Sequence, residues 1–297
     1  MFLRSAAHTY QAGMTNWSRV RRIALPRTMA TLGRVTSALS RVVCVIPAKD
    51  EQDRITATVA AAAKLPGVQL VIVCDDGSKD STASHAAAAG AIVVSHNRNR
   101  GKAAAVESGV NALGVLESRD DRPEVGTLLL LDADLGESAA NCVPLIEPVV
   151  SGEADLTIAV LPVQRMADGS VPGGFGLVMS TAARGIEELT GWTPRAPLSG
   201  QRCITRRAFE LASPLAAGWG MEVGMTIDVL RAGLQVREVD VDLQHRPTGS
   251  DLGAQLHRAR QLRDVTRALA SRGLVSAGMK ELKETGGVPG LLKRLRR

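Results

Sequence analysis

Two aspartates stand one residue apart at the end of a greasy run, Leu128-Leu129-Leu130-Leu131 being followed by Asp132-Ala133-Asp134. Carboxylates this close repel each other and cost solvation energy when half-buried, and a divalent cation relieves both problems. Hard oxygen ligands suit Mg2+ or Mn2+ and leave coordination places open for phosphate oxygens. Taken alone, the pair is equally a polar turn that caps a helix. A second acidic cluster, Asp75-Asp76-Gly77-Ser78-Lys79-Asp80, follows the apolar stretch Leu70–Cys74. Its carboxylates can accept from a base N–H or a ribose hydroxyl, or form an Asx-turn ahead of a capped helix. A third segment, Pro47-Ala48-Lys49-Asp50-Glu51, follows a β-branched run. A fourth, Asn97-Arg98-Asn99-Arg100-Gly101-Lys102, puts a lysine after a glycine turn, where it can reach a phosphate as a point charge. This is not a Walker A loop, because no glycine stands five residues before Gly101 and Ala103 replaces Ser or Thr. Neither a GxGxxG fingerprint after the first strand nor a GxSxG nucleophile elbow is present.

The elements that must position these groups alternate. Short apolar runs at Val42–Ile46, Leu70–Cys74, Ala91–Ser95, Thr127–Leu131 and Asp155–Val160 predict buried strands. Between them, Glu51–Lys64, Lys79–Ala89, Lys102–Leu116 and Ser138–Val150 predict helices, with Ser78 or Asp80 as a cap for the second. Such alternation means βαβ units and a mainly parallel sheet, with ligands at the carboxyl ends of the strands. The acidic and Gly-Lys clusters fall at those ends. Further on, the Gly-rich segment 169–176 reads as a loop. Leu177–Leu189 and Met221–Arg231 read as helices, Gln201–Thr205 as a strand, Gln235–Leu243 as a half-exposed strand and Leu252–Ala270 as an Arg-rich helix.

Composition narrows the class. The net charge of +6 is uneven: residues 1–41 carry seven Arg and no acid, leaving 29 basic against 30 acidic residues in the rest. A near-neutral body with three Trp, one Tyr and three Phe offers neither a broad basic face nor stacking platforms, so no nucleic-acid partner is expected. Cys44, Cys74, Cys142 and Cys203 have no CxxC spacing and read as buried small hydrophobes in a reducing compartment. No apolar run approaches the ~20 residues of a membrane span.

With the four strand-end segments in view, the chain resembles the family 2-type glycosyltransferases of GT-A fold. The carriers of the likeness are PAKDE, DDGSKDST, NRGKAAAVESG and DADLGES, in order, within a span of roughly 42–250. The resemblance implies an α/β fold, a Rossmann-like mainly parallel sheet flanked by helices, with a C-terminal acceptor-side subregion. It implies a nucleotide-sugar donor contacted by Pro47, Ala48, Glu51, Asp76, Lys102 and Asp132, with Asp134 on the metal. Gly218-Trp219-Gly220-Met221-Glu222, followed by Val241–Arg246, is similar to glucosyl-3-phosphoglycerate synthases and mannosylglycerate-type relatives. That likeness implies His245 as the ligand completing the Mg2+ or Mn2+ site, and a neutral imidazole after a strand suits that role. Catalytic roles fall to Glu222 and Asp132. The acceptor side is expected at Gly173, Gly174, Ser199, Gly200 and Arg202, with Arg202 or Arg206 meeting a phosphate. Phe175 stands where the phosphoglycerate enzymes carry Arg after paired glycines, which removes a cation for a phosphate-bearing acceptor.

The expected layout is a basic extension over 1–40, a glycosyltransferase domain over 41–275 and a basic tail over 276–297. The domain divides into a nucleotide-binding half (41–160) and an acceptor-side half (161–275). The expected activity moves a sugar from a UDP- or GDP-linked donor to a small-molecule or lipid-phosphate acceptor, on the cytoplasmic side. Alternatives are a polyprenyl-phosphate glycosyltransferase at the inner membrane face and a non-catalytic nucleotide-sugar-binding protein. A sugar-phosphate nucleotidyltransferase would need a Gly-rich, Arg-containing loop where this chain has Pro47–Glu51. The basic ends are compatible with peripheral contact to anionic lipid, and a homodimer is compatible with the chain.

Overall fold

Strand β1 (Val42–Ala48) and strand β4 (Thr127–Leu130) lie side by side at the centre of the sheet, and nearly every residue of both is buried. Burial on two faces is why they read as unbroken apolar runs rather than as alternating ones. The computed structural model describes residues 41–120, 124–162, 176–243 and 252–274, the last from 259 on with side chains. Around β1 and β4 stand β2 (Val68–Asp75), β3 (Ile92–Ser95), β5 (Leu156–Val160), β6 (Arg202–Thr205) and β7 (Val236–Asp240), in the order β3-β2-β1-β4-β6-β5-β7. All pairings are parallel except those of β6, which runs antiparallel to both β4 and β5. This is the mainly parallel, helix-flanked sheet expected of a GT-A domain.

The helices are α1 (Ile55–Ala62), α2 (Thr82–Ala88), α3 (Lys102–Arg119), α4 (Val143–Val150), α5 (Gly176–Thr190), α6 (Arg206–Ala212), α7 (Met221–Arg231) and α8 (Leu252–Ser271). Successive strand residues face opposite layers. Cys44 and Ile46 of β1 pack with α1 and α4, while Val43 and Val45 pack with α3, α6 and α7. A third cluster, including Val178, Ile186, Val223, Ile227 and Leu269, joins α5, α7 and α8. All four cysteines are free and buried, as expected, and burial pushes the Cys142 thiol up to about 12.

Three local expectations shift. The helix expected over 138–150 starts as a 3-10 run, Gly136–Cys142, and becomes α-helical only from Val143. Pro144 falls in the first turn of that α-helix, where its missing N–H has no intrahelical partner to lose, while Pro148 lies inside it. The helix expected from Glu51 begins at Ile55, because residues 50–52 are held by side chains of the neighbouring 78–82 segment. Helix α6, not expected, follows β6 without a linker, its start capped by Thr205 Oγ1 accepting from Ala208 N–H at 3.2 Å. Among the described residues no helix is long and apolar enough to cross a membrane.

Candidate active site

The carboxyl ends of β1, β2 and β4 open on one edge of the sheet, and the strand order reverses between β1 and β4. Crevices form at such switch points. Asp132 lies two residues past β4, Lys102 is the first residue of α3, and Glu222 sits in the first turn of α7. Tertiary packing brings the three together: Lys102 Nζ lies 2.6 Å from Asp132 Oδ1 and 3.0 Å from Glu222 Oε1. The Glu222 side chain is 2 % exposed, the Asp132 side chain 32 %. A carboxylate buried to that degree needs a cation beside it. Burial by itself would lower the Lys102 ammonium, but Asp132 and Glu222 outweigh it and hold the group well above its ordinary value. Lys102 is therefore a fixed positive charge at any physiological pH.

Gly200 and Gln201 close this cluster from the β6 side. The β4–β6 register pairs Leu130 with Arg202, so the residues just before β6 run alongside those just after β4. A Cβ at Gly200 would stand 2.4 Å from Lys102 Nζ and 2.7 Å from Asp132 Oδ2, so any side chain there would push the Lys102–Asp132 pair out of place. Gln201, 4 % exposed, accepts from Asp132 N–H at 3.0 Å and donates to Asp132 Oδ2 at 2.8 Å. Its role was missed at the sequence level, where the 197–202 stretch was read as facing an acceptor. Ser199 is nine-tenths buried, and its hydroxyl has no hydrogen-bond partner among the described residues.

Arg202 corrects an expectation. It does not meet a phosphate at the acceptor side: it is wholly buried, and its guanidinium serves the backbone. Nε donates to Ser199 O at 2.8 Å, and Nη1 donates to Glu222 O and Thr226 Oγ1, each at 2.9 Å. Burial lowers this guanidinium to about 10, which still leaves it charged. Arg206 likewise turns to the chain, toward Glu117, Glu124 and Glu210.

The loop that carries Lys102 is held by Asp76. Its Oδ1 accepts from Arg100 N–H at 2.7 Å, and its Oδ2 from Gly101 N–H at 2.8 Å. His96 Nδ1 lies 2.7 Å from the same Oδ1, and His96 Nε2 lies 2.9 Å from Ser108 Oγ. Burial opposes ionisation of Asp76, yet the hydrogen bonds from His96, Arg100 and Gly101 prevail and keep its carboxyl below the usual range. Both oxygens expected at a nucleobase are thus committed to the protein's own loop. Gly77, at φ +72°, passes so close to Arg98 that a Cβ would stand 2.7 Å from its carbonyl carbon. Ala48 is buried and its carbonyl accepts from Asp76 N–H, Pro47 is half-buried, and Glu51 N–H donates to Thr82 Oγ1.

Asp134 is half-buried, its carbonyl accepts from Arg54 Nη1 at 2.9 Å, and its carboxylate has no hydrogen bond or ion pair among the described residues. An unpaired carboxylate two residues from Asp132 supplies the hard oxygen donors that Mg2+ or Mn2+ takes. Among the described residues no three His, Cys, Asp or Glu side chains cluster as a complete metal site. His245, Gly173, Gly174 and Phe175 lie outside the described residues.

A mainly parallel sheet with an antiparallel sixth strand, an acidic pair at the end of β4 and a lysine brought in from α3 is the arrangement of a GT-A fold. Residues 43–175 match the model of the family described as Glycosyl transferase family 2. Over that stretch the chain is similar to the family 2-type glycosyltransferases. It is 28 % identical to Glycosyltransferase AglJ of Haloferax volcanii over 214 residues, 70 % of this chain and 65 % of that one. It is 29 % identical to the glucosyl-3-phosphoglycerate synthase of Mycolicibacterium paratuberculosis over 243 residues, 74 % of this chain and 67 % of that one. The chain thus spans about two thirds of the length of these relatives. Crystal structures of the Mycobacterium tuberculosis glucosyl-3-phosphoglycerate synthase share the fold. The complex with phosphoglyceric acid has a TM-score of 0.62 at 26 % identity, covering 78 % of this chain and 80 % of that one. The complex with Mn2+, uridine-diphosphate and phosphoglyceric acid has a TM-score of 0.60 at 25 % identity, covering 82 % and 84 %.

Proposed function

We propose that this protein transfers a sugar from a nucleoside diphosphate sugar, UDP-linked in the first instance, to an acceptor, with Mg2+ or Mn2+ at Asp134 and His245. The observation that carries this reading is the Lys102–Asp132–Glu222 cluster at the carboxyl end of β4, with the Asp134 carboxylate two residues further along the chain and unpaired among the described residues. The uridine base and the metal are supported by the Mn2+ and uridine-diphosphate bound to the similar mycobacterial synthase. The bound metal neutralises charge on the departing diphosphate.

The protein's own groups do the rest. Lys102 turns its ammonium toward the diphosphate as negative charge builds there, a preorganised contribution that needs no proton transfer. Asp132 holds a hydroxyl of the ribose or of the sugar, whose transition state is oxocarbenium-like. Glu222 takes the acceptor proton in an inverting reaction, or orients donor and acceptor in a retaining one.

A thermal-shift screen of UDP- and GDP-sugars with Mn2+ tests this reading. A ligand at 100 times its Kd stabilises by about 2.7 kcal/mol, so the true donor stands out as a raised Tm. Asp134→Ala should keep the Tm of the free protein and lose the Mn2+-dependent part of the shift. An unchanged Mn2+ titration in that variant removes Asp134 from the metal.

A further inference from the structure

We infer that Gln201 is a positioning residue of the donor site: it sets the orientation of the Asp132 carboxylate through a two-point amide clamp. The inference rests on the proposed donor site, in which Asp132 grips the ribose or sugar.

The clamp has a built-in direction. Asp132 N–H can only donate, so it takes the amide oxygen of Gln201, at 3.0 Å. The amide nitrogen then has to face the other way, and it donates to Asp132 Oδ2 at 2.8 Å. Backbone and side chain of one residue are thereby read by a single planar group. Asp132 Oδ1 meanwhile faces Lys102 Nζ at 2.6 Å. With each oxygen held by a different donor, the carboxylate plane is fixed. Gln201 is itself immobilised: it is buried, its carbonyl accepts from Ala159 N–H at 3.0 Å, and Arg202 beside it is anchored to α7. The Asp132 side chain is nevertheless a third exposed, so it is held at the surface of the cluster rather than sealed inside it.

Chemistry explains the residue type. A hydrophobe of equal length would leave Asp132 N–H without its partner and Oδ2 free to swing toward Lys102. Asparagine keeps the amide but falls one methylene short of spanning both contacts. Groups that orient a ligating carboxylate or imidazole from behind typically matter 10–100-fold in affinity or activity, which is about the effect expected here.

The test is a double-mutant cycle on donor affinity, read as the Kd for UDP-glucose with Mn2+ by calorimetry, with kcat and KM where turnover is measurable. Gln201→Met and Gln201→Asn are each made in the natural chain and in Asp132→Ala. The expected result is a rise in donor Kd or KM of about 10–100-fold for Gln201→Met and a smaller rise for Gln201→Asn. On the Asp132→Ala background neither substitution should add a further loss, because the group they position is gone. An equal fold-loss on both backgrounds, or no loss with Asp132 intact, overturns the inference. If Gln201→Met does not fold, Gln201→Asn, which keeps a polar amide in the buried position, carries the cycle. If the natural protein binds no sugar nucleotide, the functional proposal fails by itself. The clamp is then decided by crystal structures of the natural chain and Gln201→Asn without ligand. A changed Asp132 rotamer supports it, and an unmoved one refutes it.

Discussion

Lys102 is the residue on which the charge balance of the site turns. It stands between a carboxylate that is almost wholly buried, Glu222, and one that faces the crevice, Asp132. Removing a partner from a fully buried ion pair costs roughly 3–5 kcal/mol, since the remaining charge loses its compensation. Lys102 and Asp132 are partly solvated, so Lys102→Met should cost less, about 2 kcal/mol, because solvent screens what remains. Chemical denaturation measures this loss, and adding Glu222→Gln should recover most of it, since a neutral amide needs no cation. A loss that persists in the double variant would show that Lys102 supports the fold by packing alone. Activity should stay low in both variants, which separates the electrostatic role in stability from the role toward the diphosphate.

At the scale of elements, the decisive piece is the connection from β3 to α3. It reaches the site because Asp76, at the end of β2, captures the backbone N–H groups of Arg100 and Gly101. That places the first residue of α3 over the end of β4. Because the folded carboxyl of Asp76 lies below its ordinary value, its contribution to stability is complete above the usual carboxylate range. The contribution fades as the pH falls below about 4, where the unfolded chain takes up its proton first. Asp76→Asn cannot accept on both sides and should lower the Tm at neutral pH. The Tm gap to the natural protein should then shrink as the pH falls through that window. A gap of constant size between pH 7 and pH 3 would mean that the carboxylate charge is not what anchors the loop.

For the whole molecule, the open matter is the acceptor. The chain is similar to glucosyl-3-phosphoglycerate synthases, and the family resemblance implies that Phe175 stands where those enzymes carry an arginine for the acceptor phosphate. A charge-assisted contact to phosphate is among the stronger polar contacts available, and a phenyl ring supplies none of it. Turnover with phosphoglycerate should therefore be slow compared with acceptors that carry no phosphate at that point. Steady-state rates across a panel of phosphorylated and unphosphorylated hydroxy acids and sugars measure this. Rapid turnover with phosphoglycerate would show that another cation does the work expected of the missing arginine.

Much of this protein was legible in its residues. The runs read from the sequence placed all seven strands, six of them to within two residues at either end, while the seventh overran by three at its C-terminal end. The acidic and Gly-Lys segments fell at strand ends because period and turn chemistry are local properties of a chain. What only the tertiary structure decided is which side chains meet. No local pattern reveals that β6 enters between β4 and β5 in the antiparallel sense. That insertion carries Gly200 and Gln201 to Asp132, and it buries Arg202 under the loop whose charge it was expected to offer. Nor does residue type reveal that Lys102 and Glu222, 120 positions apart, share one ion contact. Composition and spacing specify which groups stand at the ends of elements. The packing of those elements determines where each group points, because the cost of burying a charge is set by neighbours that lie far away along the chain.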